Sequence, residues 1–183
     1  MARGFYFRLG LAALALGAAL SSGAQAQTPT PAPVCATGDK ALPPEFSAWA
    51  HKSDLAAAKG PADLPRASLV PGQAVTLTLT PTPRVTYLAQ PEKPGGSVSH
   101  GGLASLTIDR AGSYRIALDG GAWIDLLKDG KALVSTGHGH GPDCSGIRKI
   151  VDFDLAPGLY VLQISANAGP TLAVLVTPRP VGD

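Results

Sequence analysis

Two histidines one residue apart, His138 and His140, sit in the run Thr136-Gly137-His138-Gly139-His140-Gly141-Pro142-Asp143-Cys144. On extended chain, alternate side chains project to the same side, so both imidazoles can face one ion. Asp143 or Cys144 would supply a third ligand, and His100, in Ser99-His100-Gly101-Gly102, would join from another loop. Imidazole with carboxylate suits Zn, Cu or Fe, and the donor set does not choose among them. Two His and one carboxylate with open positions could hold iron for oxygen chemistry. The plainer reading of the same run is a solvated loop.

Trp123 and Asp125 are two residues apart on an alternating segment and face one way. One reading is a carbohydrate-binding module: a sugar-stacking Trp123, a hydrogen-bonding Asp125 and Tyr87 as a second ring. The other is a core indole whose N–H meets a nearby acceptor, with Asp125 held by backbone amides. Asp152 and Asp154 alternate with Val151 and Phe153, which predicts a solvent face for both carboxylates. The chain contains no Gly-x-Ser-x-Gly nucleophile turn, and no P-loop or Rossmann glycine pattern.

Stepping from these residues to what must hold them, Gly (22) and Pro (17) are abundant among 183 residues that are 45% hydrophobic and only 15% charged. That composition suits many short strands joined by turns, in one domain. Gln73–Leu79 alternates Val75, Leu77 and Leu79 against threonines, which predicts a half-buried strand. Further strands are predicted at 85–88, 103–108, 113–118, 122–127, 131–135, 147–155, 159–165 and 171–177. Asp129-Gly130 is a hairpin signal, while 91–102 and 136–146 read as loops. The fold class is therefore all-β, an antiparallel β-sandwich or jelly roll of about eight or nine strands.

A short N-terminal helical arm precedes it. Leu42-Pro43-Pro44-Glu45-Phe46-Ser47-Ala48-Trp49 predicts a helix with Pro44 in its first turn. Phe46 and Trp49 share one face and are expected to plug the end of the β-domain. Ser53–Ala58 predicts a further helical turn.

Arg3 and Arg8, the uncharged run Leu9–Leu20 and the small-x-small site Ala24-Gln25-Ala26 have the layout of a cleaved signal peptide. The expected organisation is a signal peptide at 1–26, a Pro/Thr-rich tether at 27–34, the arm at 35–66, the sandwich at 67–178 and a tail at 179–183. Lys and Arg number 15, Arg3 and Arg8 among them, against 13 Asp and Glu, so the exported chain is formally neutral. Neutrality and few aromatics (5%) leave no electrostatic basis for binding nucleic acid or an anionic membrane. A periplasmic or secreted protein with an envelope protein or a glycan as partner is expected. In an oxidising compartment Cys35 and Cys144 read as one disulfide; a free Cys144 serving as a metal ligand is the alternative.

Residues Leu106–Val176 resemble the bacterial pre-peptidase C-terminal domain. The matching residues are Ala111-Gly112-x-Tyr114-x-Ile116, Ile124-Asp125-Leu126 before Asp129-Gly130, and Leu155-x-Pro157-Gly158-x-Tyr160-x-Leu162-x-Ile164. The resemblance implies a small jelly-roll-like sandwich, an accessory module of exported enzymes; within these 183 residues no enzyme domain is expected beside it. The whole chain is also similar to short exported bacterial proteins that carry the name homogentisate dioxygenase. The shared segments are Gly121–Asp125, Gly141–Lys149 and the Leu-x-Pro-Gly-x-Tyr turn. That resemblance implies a non-haem iron oxygenase, whose family site uses two His and one Glu. This chain's only glutamates, Glu45 and Glu92, stand in no matching His context. The primary expectation is an exported, non-catalytic β-sandwich that binds or assists; a metal protein through His138 and His140 is the alternative, and a carbohydrate module the second.

Overall fold

The computed structural model describes Cys35 and residues 42–180. The expected signal peptide and tether lie outside the described residues. A 3-10 helix, Pro44–Ala50, is followed by β1 (Lys52–Ala56), a second 3-10 helix (Pro61–Arg66), β2 (Ser68–Leu69), β3 (Ala74–Thr78) and β4 (Thr80–Pro81). A 3-10 turn (Thr82–Arg84) and a strap, 85–99, lead to β5 (His100–Ile108), β6 (Gly112–Leu118), β7 (Trp123–Lys128) and β8 (Lys131–Ala132). Then come β9 (Gly137–Gly139), β10 (Lys149–Leu155), β11 (Gly158–Asn167) and β12 (Thr171–Pro178). Sheet A has the order β1-β3-β12-β6-β10-β9, and sheet B the order β2-β5-β11-β7-β8 with β4 against β5.

The fold is the expected β-sandwich. Period-two alternation sends Leu77, Ile116, Leu118, Val151, Phe153 and Val174 inward from sheet A. Leu106, Leu126, Leu162 and Ile164 meet them from sheet B. Each such side chain contributes about 1.5–3 kcal/mol by leaving water, which is what binds the sheets. Asp129 and Gly130 both take positive φ, 50° and 76°, the geometry a tight hairpin turn requires between β7 and β8. Tyr114 donates its hydroxyl hydrogen bond to Arg110 C=O at 2.9 Å, and Tyr160 to Ala156 C=O at 2.7 Å. Each tyrosine thus pins the turn four residues behind it, in the manner of a tyrosine corner.

The sheets are mixed, not purely antiparallel: β1 pairs parallel with β3, and β2 with β5. The predicted helical turn at 53–58 is instead β1 and its continuation. Alanine's helix propensity loses here to the hydrogen bonds offered by the edge of β3. The same segment then crosses to sheet B, where Ala58 exchanges backbone hydrogen bonds of 2.8 and 2.9 Å with Leu103. Residues 85–88 form part of the strap and no strand, and three residues of the expected loop 136–146 form β9.

The arm does not plug the end of the sandwich. Its 3-10 helix lies on the outer face of sheet A, where Phe46 and Trp49 pack with Ala117, Ile150, Ala173 and Leu175. This covering also overturns the solvent-face reading of Asp152. Asp152 is buried beneath the arm and pairs with Arg115 and Arg179, both at 3.6 Å, while Arg115 reaches Glu45 at 3.2 Å. Asp154 is exposed as expected.

Cys35 and Cys144 form the expected disulfide, closing a separation of 109 residues. Neither sulfur is a thiol, so Cys144 is not available as a metal ligand.

Candidate functional site

The hairpin partner of β7 is short. β8 pairs only with Leu127 and Lys128, and Leu133 N–H then bonds Leu126 C=O at 2.8 Å before the chain leaves. Among the described residues no strand covers the outer edge of β7 from Trp123 to Asp125. On the other sheet the terminal strand β9 is only three residues long. Between these two edges lies a cleft of about 1100 Å³.

Its floor is apolar. Ile124 and Leu133 come from the sheet B side, and Val151 and Phe153 from the inner face of sheet A. One wall is the loop 137–148, from which His138, His140, Asp143 and Cys144 line the cleft. Pairing explains the direction of His138: it stands opposite Val151, an inward position, so it shares that side. His140 Nδ1 lies 2.9 Å from Arg148 C=O, which leaves Nε2 at the surface. Gly141 is obligatory in this wall, because a Cβ there would collide with the side chain of Ile147 and with its carbonyl oxygen at 2.7 Å.

The far end of the cleft is polar. Trp123 Nε1 donates to Asp125 Oδ1 at 2.9 Å. Two ammonium groups lie against the same indole: Lys93 Nζ at 4.5 Å from the ring centre and Lys149 Nζ at 5.3 Å. Lys149 also donates to Ala122 C=O at 2.9 Å. Glu92 lines this end as well. Burial pushes Asp125 above the ordinary carboxylate range, with Glu92 adding to it, while the Trp123 hydrogen bond, the nearby Gln163 amide and Lys149 oppose it. Burial pushes Lys149 below the ordinary lysine range, Lys93 pushes it further, and Asp125 opposes.

The strap supplies Glu92 and Lys93, and the outer face of sheet B holds it in place. Gln163 Oε1 accepts from Leu88 N–H at 2.7 Å and Ala89 N–H at 3.1 Å, and its amide donates to Ala89 C=O at 3.2 Å. Ser165 donates to Lys93 C=O at 2.8 Å. Tyr87 is part of this clamp: its hydroxyl donates to Ile164 C=O at 3.1 Å. Burial raises the Tyr87 hydroxyl pKa, with Asp125 adding and Thr82 opposing.

The structure thus brings His138, His140, Asp143, Trp123 and Asp125 to one cleft. Tyr87 lies outside the lining, as does His100, which sits on β5 opposite Asn167 and Pro81. Trp123 is half-buried, between the two readings of the sequence: its indole meets an acceptor, but that acceptor is Asp125 itself. Among the described residues Asp125 Oδ2 has no hydrogen-bond partner, so backbone amides do not satisfy it. No group of three or more His, Cys, Asp or Glu able to hold a metal forms among the described residues. Sequence reasoning missed Glu92, Lys93 and Lys149. Lys149 carries no local signal, because only the pairing of β10 turns it toward Trp123.

No family model and no curated protein matches the chain. Among solved structures, the pre-peptidase C-terminal domain of collagenase from Bacillus anthracis is similar. The two share 15% identity at a TM-score of 0.37, over 60% of this chain and 92% of that one. The sandwich here rests on its own strand pairing.

Proposed function

We propose that this chain is an exported, non-catalytic β-sandwich that binds a small, mainly apolar molecule between the edges of β7 and β9. The cleft carries this reading: an apolar floor with a few convergent polar groups at one end is the usual form of a small-molecule site, and its volume lies just above the usual range of about 300–1,000 Å³. The disulfide suits an oxidising compartment, which supports export. The polar end orients a ligand through Asp125, Glu92 and the lysines, and the floor supplies affinity through area removed from water. The test uses 1-anilinonaphthalene-8-sulfonate as an apolar probe of the folded protein. Micromolar binding that Ser135→Trp abolishes is the expected result, because Ser135 is exposed on the cleft wall and an indole there fills the mouth. Absence of binding, or binding untouched by that variant, overturns the reading.

The metal reading has one observation in its favour: His138 and His140 line the same wall. Elemental analysis of the untagged protein, beside His138→Ala/His140→Ala, tests it. Stoichiometric metal lost in the variant would establish it as a second function of the cleft.

A further inference from the structure

Lys149 is placed unlike the other described lysines. Its stem rises from the inward side of β10, next to Val151 on the same face, and its ammonium group ends at the polar end of the cleft. There it has one carbonyl partner, Ala122, and no carboxylate pairs with it among the described residues. It shares the Trp123 ring with Lys93. Two like charges on one indole repel, and the repulsion is relieved when one amine is neutral. Burial disfavours the charged form, so the half-buried Lys149 holds its proton less tightly than an ordinary lysine. A neutral amine at the end of an apolar cleft is a nucleophile for a carbonyl carbon.

We infer that Lys149 captures a small aldehyde as an imine, the aldehyde's apolar body lying on the floor formed by Ile124, Leu133, Val151 and Phe153. The Nζ lone pair forms the new C–N bond and the carbonyl π pair takes up a proton, giving a carbinolamine. Loss of its hydroxyl with a second proton completes the C=N bond. Both amine protons leave with the carbonyl oxygen as one water, and no oxidant or reductant is consumed. Burial, Lys93 from the strap and Asp125 from β7 bear on the charge of Lys149, while Glu92, Arg148 and His140 line the same cleft. This inference rests on the cleft being a binding site and names the chemistry of its ligand.

The experiment treats the folded protein at pH 7 with benzaldehyde and sodium cyanoborohydride, which traps any imine as a secondary amine. Intact mass and peptide mapping then locate the adduct. The first adduct is expected on Lys149, forming at least about tenfold faster than on the exposed Lys93. The rate at Lys149 should level off below the ordinary lysine range. Lys149→Arg should lose the fast adduct, and Ser135→Trp should slow labelling of Lys149 alone. Labelling spread evenly over the lysines, with the probe still bound, overturns the inference and leaves the cleft reading standing. Failure of the probe to bind overturns both.

Discussion

The molecule has two tryptophans, and each has a lysine ammonium against its ring, yet their surroundings differ in kind. Trp49 is 4% exposed, packed on the outer face of sheet A, and Lys52 lies over it while donating to its carbonyl at 2.6 Å. Its neighbours Glu45 and Asp152 both meet arginines. Trp123 is half-buried at an uncovered strand edge, two lysines lie against it, and the carboxylate beside it, unlike Asp152, makes no ion pair among the described residues. The same residue types therefore do opposite work. Around Trp49 the polar groups find opposite charges and seal a face. Around Trp123 they are left incompletely matched next to an apolar cavity, which is the condition under which a ligand gains by binding.

The comparison can be broken most forcefully at the sealed face. Trp49→Ala should destabilise the fold by about 3–5 kcal/mol in a denaturant melt, because the arm loses its anchor. Trp123→Ala should lose only about 1–2 kcal/mol, since a half-exposed ring has less area to surrender. Equal losses would erase the distinction. Next in size, Arg115→Met leaves Glu45 and Asp152 without their shared guanidinium and should destabilise by about 3 kcal/mol. A melt unchanged by that substitution would show the ion pairs to be incidental. Gln163→Leu removes three hydrogen bonds to the strap and should release the amides of Leu88 and Ala89 to hydrogen exchange, at about 1–3 kcal/mol. Protection retained at both would show that the strap is held by other contacts.

The smallest effect concerns Asp125, and its sign is opposite to that of most buried substitutions. Its folded pKa is raised, so the folded state holds the proton more tightly than the unfolded one. Its contribution to stability is therefore most favourable in acid and is lost as pH rises through the folded value. Asp125→Asn keeps an acceptor for Trp123 and removes the charge. At neutral pH the variant should equal or exceed the parent in stability, and the difference should vanish below the ordinary carboxylate range. A variant that is less stable at pH 7 but matches the parent in acid would reverse the assignment.

Much of the fold was legible because local chemistry and tertiary packing agree along the β-strands. Val151-x-Phe153-x-Leu155 and Tyr114-x-Ile116-x-Leu118 point inward as their period requires. Where they disagree, the sequence misleads. Ser53–Ala58 is rich in alanine and reads as helical, but its small side chains are needed where it crosses to Gly102, whose Cβ position lies 2.6 Å from that of Ala57. Asp152 reads as solvated because nothing in its own strand shows that an arm 100 residues earlier will cover it. At the cleft, Trp123, Asp125, His138 and His140 were marked by their types and spacing. Lys149, Lys93 and Glu92 were not, since their meeting depends on strand pairing and on a strap clamped by Gln163. Tyr87 reads as a second ring for a sugar, but its hydroxyl fastens that strap to Ile164.

The central claim is that ligand enters at Trp123 and not at Trp49, and fluorescence can separate the two. Trp49→Phe leaves Trp123 as the sole indole, and Trp123→Phe leaves Trp49. Both variants would be titrated with 1-anilinonaphthalene-8-sulfonate while quenching of the indole by energy transfer is followed. The account predicts strong, saturable quenching of Trp123 and much weaker quenching of Trp49. Equal quenching of both, or quenching of Trp49 alone, would contradict it.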